Sequence, residues 1–201
     1  MQVVRGAQLW PVIIRGAGLL LLASALTVLI VAPGALAAQA GARPHVEVIA
    51  QGLNAPWALA FGPTGQLYLT ERPGRIRVVT NGQLQPAPVA SLDVATGGEA
   101  GLLGLALDPD FQSTRQLYVA HTYHTASGGF VNRLIRLRED SSSGLFKLDQ
   151  VLLDGIKGAG IHDGGRVRIG ADGKLYLSAG DTGDGRLAEQ GSSLNGKILR
   201  L

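Results

Sequence analysis

A histidine and an aspartate at the two ends of one predicted hairpin are the residues of this chain whose types and spacing could do chemistry. Asp172-Gly173 lies between two apolar alternating runs, which is a strong signal for a two-residue turn. If these residues form the turn, the residue numbers of any two paired positions add up to 345. His162 then lies opposite Thr182-Gly183, and Asp181 lies opposite Gly164. The imidazole and the carboxylate are then about one diagonal step apart. This is the layout of a general base with an acid that orients it.

Glycines surround this pair on both strands. They remove side chains where a ligand could approach the backbone. The six positions are Gly158, Gly160, Gly164, Gly165, Gly180 and Gly183. The alternative is that His162 is a loop histidine in a glycine-rich turn, because His–Asp pairs also occur without function.

The elements that would position the pair belong to a pattern that occurs three times. Each copy has an apolar strand, a turn rich in Pro, Asp or Gly, and a Leu-Tyr-aliphatic strand, and a strand with alternating basic residues follows it. The copies lie at 58–69, 104–119 and 167–177, and the strands that follow them at 75–78, 133–137 and 197–201. Short strands that recur every 50 to 60 residues are typical of four-stranded propeller blades.

We therefore predict an all-β protein with a β-propeller fold. A β-sandwich is the competing fold, but it does not predict three copies of one hairpin. Residues 45–201 hold about three blades, and a propeller closes with roughly four to eight. We expect this segment to be the N-terminal half of a truncated propeller domain.

The N-terminal segment has the pattern of an export signal. Arg5 and Arg15 precede an apolar run from Gly16 to Ala32, and Ala35-Leu36-Ala37 is an A-x-A cleavage pattern. We predict a signal peptide over residues 1–37, a linker over 38–44, and a periplasmic or secreted protein without stable membrane insertion after cleavage. An uncleaved membrane anchor is the alternative.

Composition excludes several classes of site and partner. The chain has no cysteine, so disulfides and thiolate metal sites are excluded. Two of its 18 Lys and Arg lie in residues 1–37, which contain no Asp or Glu. Residues 38–201 therefore contain 16 basic and 15 acidic residues. This balance, without a basic run interleaved with aromatics, predicts no nucleic-acid partner. His121 and His124 are predicted to lie in a solvated loop, and no metal-ligating residue is predicted.

Several motifs combine in one order and spacing. They are Gly52–Phe61, Thr70–Ile76, Gly98–Gly104 with Asp108–Phe111, Asn132-Arg133, His162–Arg166 and Ser193–Leu201. Each is weak alone, because Pro-Asp-Gly turns recur in all propellers. Together they resemble the soluble quinoprotein glucose/sorbosone dehydrogenase family, the PQQ-dependent aldose sugar dehydrogenases, over about residues 53–201.

The resemblance implies a six-bladed propeller with PQQ beside calcium in a cleft over the central channel. By resemblance, His162 takes the proton from the anomeric hydroxyl of an aldose while hydride passes to the quinone, and Asp181 orients the imidazole. Glu99 matches a position where relatives place a Gln or Glu near the cofactor, and Arg166 is a candidate contact for this tricarboxylic acid. The expected product is a lactone, and an external electron acceptor is needed.

The resemblance also places most PQQ-binding basic residues and calcium ligands in a second half of the protein. Residues 1–201 are therefore expected to be inactive alone. Two other functions stay open. A non-catalytic extracellular binding propeller has no need of an oriented base. A calcium-dependent propeller lactonase needs Glu, Asn and Asp side chains that converge on one ion, and these three predicted blades present no such set.

Overall fold

Three antiparallel sheets follow one another along residues 44–201, the part of the chain that the computed structural model describes. The first sheet comprises β1 (Pro56–Phe61), β2 (Leu67–Glu71), β3 (Arg75–Thr80), β4 (Gln83–Leu84) and β5 (Ala90–Ser91). The middle sheet comprises β6 (Leu102–Leu107), β7 (Gln116–His124), β8 (Phe130–Glu139) and β9 (Phe146–Lys157). The last sheet comprises β10 (Gly164–Ile169), β11 (Leu175–Ala179) and β12 (Lys197–Arg200).

Helix contributes little to this part of the chain. Its two helices have four residues each: α1 (Phe111–Thr114) follows β6, and α2 (Arg186–Glu189) lies between β11 and β12. Among the described residues, no helix has the length and apolar character needed to cross a membrane. The predicted signal peptide, residues 1–37, and all but the last residue of the predicted linker lie outside the described residues.

The three predicted hairpins are present and share one irregularity. β1 pairs with β2, β6 with β7, and β10 with β11, and each pair shifts its register by one residue near its open end. The shifts fall between Pro56 and Leu59, between Leu102 and Leu105, and between Gly164 and Val167. A bulge at equivalent positions of three hairpins indicates one repeated unit, as the sequence pattern predicted.

The turn of the last hairpin differs from its prediction. Gly170 N donates to Lys174 O at 2.8 Å, so the loop contains the three residues 171–173 rather than Asp172-Gly173 alone. Paired positions therefore sum to 344, as in Val167 with Leu177, and the bulge lowers the sum to 343 at Gly164 with Ala179. The predicted pairing of Gly164 with Asp181 was wrong. The cause is backbone conformation, since Gly164 and Gly165 have φ of 75° and 79°, in the left-handed region that favours glycine.

Two hydrophobic clusters join the sheets. The first contains side chains of the first and middle sheets, such as Ile76, Leu105 and Leu117. The second contains side chains of the middle and last sheets, such as Leu134 and Val167. Successive side chains of a strand point to opposite faces of the sheet, so one face can enter a cluster. In β10, for example, Gly165 and Val167 are buried, whereas Arg166 and Arg168 are exposed.

Consecutive antiparallel meanders that pack on one another confirm the all-β prediction. The innermost strands β1, β6 and β10 are neighbours, as the inner strands of propeller blades are. The middle sheet has the four strands of a complete blade, and the last sheet has three. A total of six blades in the whole propeller stays a prediction.

Candidate active site

His162 and Asp181 meet at the open end of the last hairpin. His162 Nδ1 lies 2.9 Å from Asp181 Oδ1, and the imidazole side chain is 59% exposed. A carboxylate can only accept, so Nδ1 carries the proton and Nε2 holds a free lone pair. The hydrogen bond from the ring to Asp181 raises the pKa of His162 above its ordinary value. A neutral imidazole held this way is equipped to accept a proton at Nε2.

Asp181 is itself held in place by the loop. Its Oδ1 also accepts the backbone N–H of Gly183 at 2.9 Å. That hydrogen bond, and then the one from His162, lower the pKa of Asp181, so the carboxylate is ionised at neutral pH. The partner of the imidazole is therefore a fixed negative charge.

The backbone at His162 adopts a conformation that non-glycine residues rarely take. Its φ is 55°, and Thr182 on the opposite segment has φ of 54°. Thr182 N donates to His162 O at 3.3 Å. A Cβ added at Gly180 would lie 1.7 Å from the same carbonyl oxygen, so only glycine permits this approach. Strain of this kind persists where surrounding contacts enforce it.

Glu99 joins the site from the loop before β6. Its carboxylate Oε2 accepts the backbone N–H of His162 at 2.7 Å, and its own N–H donates to Gly160 O at 2.8 Å. A Cβ added at Gly98 would lie 2.0 Å from Gly160 O. The structure thus brings Glu99 together with His162, through the histidine backbone rather than its ring.

The glycines of the site have a different use from the predicted one. Six glycines, Gly180 among them, were expected to lie where a ligand could approach the backbone. At Gly180, and also at Gly98, which was not one of the six, the group that approaches closely is another segment of the same chain. These two glycines let the loops around His162 pack backbone against backbone.

Arg166 stands apart from the other three predicted residues. It lies on β10 with an exposed side chain, and its backbone N–H donates to Ser178 Oγ at 3.0 Å. Within residues 44–201, no hydrogen bond or ion pair joins its guanidinium to His162, Asp181 or Glu99, and no carboxylate pairs with it. A guanidinium without a carboxylate partner is suited to an anionic group of a ligand.

A buried polar chain lies directly behind His162 and was missed by sequence reasoning. Asp163 is 3% exposed, and its Oδ1 accepts both Asn132 Nδ2 at 2.8 Å and Ala159 N at 2.9 Å. Asn132 Oδ1 in turn accepts the hydroxyl of Thr122 at 2.6 Å. The other oxygen of Asp163, Oδ2, is buried without a hydrogen-bond partner among the described residues. Burial raises the pKa of Asp163.

Asn195 supports the same region from the other side. Its Nδ2 donates to Lys157 O at 2.8 Å and to Gly180 O at 3.0 Å, and the residue is 4% exposed. It therefore ties the end of β9 in the middle sheet to the segment that carries Asp181. The motifs contain both Asn132 and Asn195, but the residue type alone does not reveal burial.

The prediction of a solvated loop at His121 was wrong. His121 lies within β7 and is 1% exposed. Its Nε2 accepts a hydrogen bond from Arg133 Nε at 2.9 Å, and Arg133 lies over the ring of Tyr123. Burial and, after it, the charge of Arg133 lower the pKa of His121 to about 4. His124 is exposed as expected, but it is the last residue of β7 rather than part of a loop.

The described residues offer no evident metal site. In residues 44–201, no group of three or more His, Asp or Glu is placed to hold an ion. They present no cluster of carboxylates for the calcium that the family resemblance implies. Calcium stays a prediction without ligands in this part of the chain.

Comparisons with known proteins agree with the fold and identify the family. The family described as Glucose / Sorbosone dehydrogenase matches residues 53–201. Aldose sugar dehydrogenase YliI of Escherichia coli (strain K12) is 33% identical over 167 residues, which are 81% of this chain and 45% of that protein. Quinoprotein glucose dehydrogenase B of Acinetobacter calcoaceticus is 33% identical over 151 residues, 71% of this chain and 32% of that protein.

A solved structure gives the same result. The PQQ-bound form of aldose sugar dehydrogenase from Streptomyces coelicolor superposes with a TM-score of 0.69 at 36% identity, over 78% of this chain and 47% of that one. The chain thus spans 32% to 47% of the length of these relatives. The family match covers all three sheets and all four predicted site residues. The chain belongs to the glucose/sorbosone dehydrogenase family.

Proposed function

We propose that this chain contributes the general base of a PQQ-dependent aldose dehydrogenase, which oxidises the anomeric carbon of an aldose to a lactone. The observation that carries the proposal is the 2.9 Å hydrogen bond between His162 Nδ1 and Asp181 Oδ1, in a chain of this family. The names of the relatives support PQQ as cofactor and an aldose as substrate.

His162 Nε2 removes the proton of the anomeric hydroxyl in this mechanism. Asp181 keeps the Nδ1–H tautomer and stabilises the imidazolium that forms, because a fixed carboxylate faces the new positive charge. When bound, PQQ supplies the two-electron acceptor that takes the hydride of the anomeric carbon. Loss of the hydroxyl proton and of that hydride leaves a carbonyl at this carbon, which is the lactone.

The part of the cofactor contact that this chain could supply is limited. Arg166 fits a carboxylate of PQQ, since its guanidinium has no acidic partner within residues 44–201. Glu99 fits less directly, because one of its oxygens already accepts the His162 N–H and its charge repels an anionic ligand. The expectation that residues 1–201 are inactive alone stays part of this proposal, as does the predicted electron acceptor.

The first experiment is dye-linked reduction by the complete product of the gene that encodes this chain, loaded with PQQ and calcium and supplied with a panel of aldoses. We expect PQQ-dependent activity that His162→Ala lowers by about 10²- to 10⁴-fold, the usual contribution of a general base. His124→Ala is the matched control, because this histidine is exposed and lies outside the site. Its activity should stay within about twofold of the parent protein.

The pH profile tests the role of Asp181 in the same assay. Activity needs neutral His162, so it falls as pH drops through the raised pKa of this residue. Asp181→Asn keeps an acceptor but removes the charge, so the pKa falls and the acid limb of kcat/KM moves to lower pH. Asp184→Asn, whose side chain pairs with Arg186 instead, should leave the limb in place.

Other outcomes separate the competing functions. Full activity of His162→Ala would exclude this residue as the base. Absence of PQQ binding by the complete protein would contradict the quinoprotein proposal and favour a binding propeller. Lactone hydrolysis that needs calcium but not PQQ would favour the lactonase.

A further inference from the structure

We propose that Asp163 is a positioning residue for His162: its buried carboxyl fastens the segment 159–163 to β8 and thereby holds the imidazole against Asp181. The catalytic meaning of this inference rests on the proposed function, but the geometric claim can be measured without activity. Asp163 does not touch the reacting atoms, and it acts only through its neighbour.

The first step of the argument is the number of attachments that Asp163 makes. One oxygen, Oδ1, accepts from Asn132 on β8 and from Ala159 within the loop of His162. Asn132 is fixed in turn by the hydroxyl of Thr122 on β7. All of these side chains are at least nine-tenths buried, with exposures of 0% for Thr122, 6% for Asn132 and 3% for Asp163. The chain thus runs from the interior of the middle sheet to the residue next to the candidate base.

The second step is the conformation that the attachment must enforce. His162 has φ of 55°, which costs on the order of 1 kcal/mol or more for a residue with a side chain. On the solvent side, Glu99 Oε2 holds its N–H and Thr182 N–H holds its carbonyl. Asp163 is the attachment on the interior side. Without it, the segment can relax to an ordinary backbone conformation and carry the imidazole away from Asp181.

The third step concerns the form of the carboxyl. Its Oδ2 is buried and meets no donor among the described residues, while Oδ1 accepts two hydrogen bonds. Burial is the main cause that raises the pKa of Asp163, and the nearby charge of Glu99 acts in the same direction. Only Oδ1 is needed as an acceptor here. A protonated carboxyl group or the amide of asparagine also offers one accepting oxygen at this position. Asparagine should therefore replace Asp163 with little loss.

The test compares Asp163→Asn and Asp163→Ala in the complete gene product loaded with PQQ and calcium. We expect Asp163→Ala to lower kcat at least tenfold with a change in aldose KM below about threefold. Asp163→Asn should restore kcat to within about threefold of the parent protein. The acid limb of kcat/KM should move to lower pH in Asp163→Ala, because His162 loses the hydrogen bond to Asp181 that raises its pKa. Glu99 and Asp181, the two acids that raise this pKa, are unchanged in both variants.

A second readout does not depend on activity. Histidine ring signals in the NMR spectrum of the complete protein, with that of His162 assigned by its loss in His162→Gln, report the pKa of His162 directly. We expect this pKa to fall toward its ordinary value in Asp163→Ala and to stay raised in Asp163→Asn. If the parent protein oxidises no aldose but the pKa follows this pattern, the proposed function fails and the positioning role stands.

Two results would overturn the positioning role. One is a folded Asp163→Ala protein whose His162 pKa and kcat match those of the parent protein. The other is loss of kcat with the His162 pKa unchanged, since that would indicate a general structural defect. If Asp163→Ala does not fold, Asn132→Leu removes the β8 attachment at similar volume and must shift the His162 pKa in the same direction for the proposal to hold.

Discussion

Glu99 Oε2 accepts the backbone N–H of His162 at 2.7 Å, although 63 positions separate the two residues in the sequence. The bond links the loop before β6 in the middle sheet to the loop before β10 in the last sheet. A second bond, from Glu99 N to Gly160 O, reinforces the link. The position of the candidate base therefore depends on the packing of two sheets.

This relationship predicts different outcomes for two substitutions of Glu99. Glu99→Gln keeps an acceptor for the His162 N–H, so kcat should stay within about threefold. Glu99→Ala removes the acceptor, and a lost hydrogen bond of about 1.5 kcal/mol at the base corresponds to roughly a tenfold loss of kcat. After the hydrogen bond to Asp181, the charge of Glu99 also raises the His162 pKa, so both variants should move the acid limb slightly to lower pH.

The measurement is the pH profile of dye-linked aldose oxidation by the complete protein. Glu189→Ala is the matched control, because this glutamate is exposed and pairs with no cation in the described part of the chain. Equal activity of Glu99→Ala and the parent protein would show that the bond does not position the base.

Gly180 supplies a test of the close approach between the two segments of the site. A Cβ at this position would lie 1.7 Å from His162 O. The oxygen belongs to the backbone and the Cβ is fixed to the backbone of residue 180, so one segment must move. We expect Gly180→Ala to lower the free energy of unfolding by about 1–3 kcal/mol, as overpacking does, and to abolish most of the activity. Denaturant unfolding and the oxidation assay measure the two effects.

Gly191→Ala is the control for this substitution. Gly191 is exposed, lies outside the left-handed region, and has no atom within 4 Å of the position of an added Cβ. Its substitution should change stability by less than about 0.5 kcal/mol. A stable and active Gly180→Ala protein would contradict the geometry described for the loop of His162.

The sequence was sufficient to predict that His162 and Asp181 lie close together, but it was not sufficient to predict the register of the hairpin that carries them. The apolar runs around Asp172-Gly173 identify the hairpin, and so His162 and Asp181 were correctly brought together. The register was wrong because a three-residue loop and a bulge depend on left-handed backbone angles, which the apolar alternation used to pair the strands does not specify. The three-residue loop and the bulge each lower the sum of paired residue numbers by one, from the predicted 345 to 343. At this end of the hairpin, His162 and Thr182 both have positive φ values.

Buried polar residues were the main part of the site that the sequence did not reveal. Asp163 and Asn195 lie among glycines and serines, a composition that is typical of exposed loops. Their burial results from contacts between sheets that are distant in the sequence, as in the bond from Asn195 to Lys157 O. The match to a family position makes Glu99 a candidate, but its bond to the His162 backbone depends on the same packing between sheets.

His121 makes the stability of the fold depend on pH, in a direction that follows from its burial. Its pKa in the folded protein is about 4, whereas an unfolded histidine titrates near 6.5. Between these values the unfolded state binds more protons, so stability is fully present above about pH 6.5 and falls as pH drops toward 4. The loss from this residue is on the order of 3 kcal/mol at its full extent. The charged groups that influence it are Arg133, which lowers the pKa, and Asp154 and Asp93, which raise it.

Urea unfolding of the complete protein at pH 7.5 and pH 5 checks this prediction, with His121→Gln and His124→Gln as the compared variants. Glutamine does not titrate, so His121→Gln should lose less stability than the parent protein between the two pH values. His124→Gln should lose as much as the parent protein. Because each comparison is a difference between variants, the contributions of Asp163 and other carboxyls cancel. An unchanged pH dependence in His121→Gln would mean that the folded protein can charge this ring, which is incompatible with a buried imidazole that accepts a hydrogen bond from Arg133.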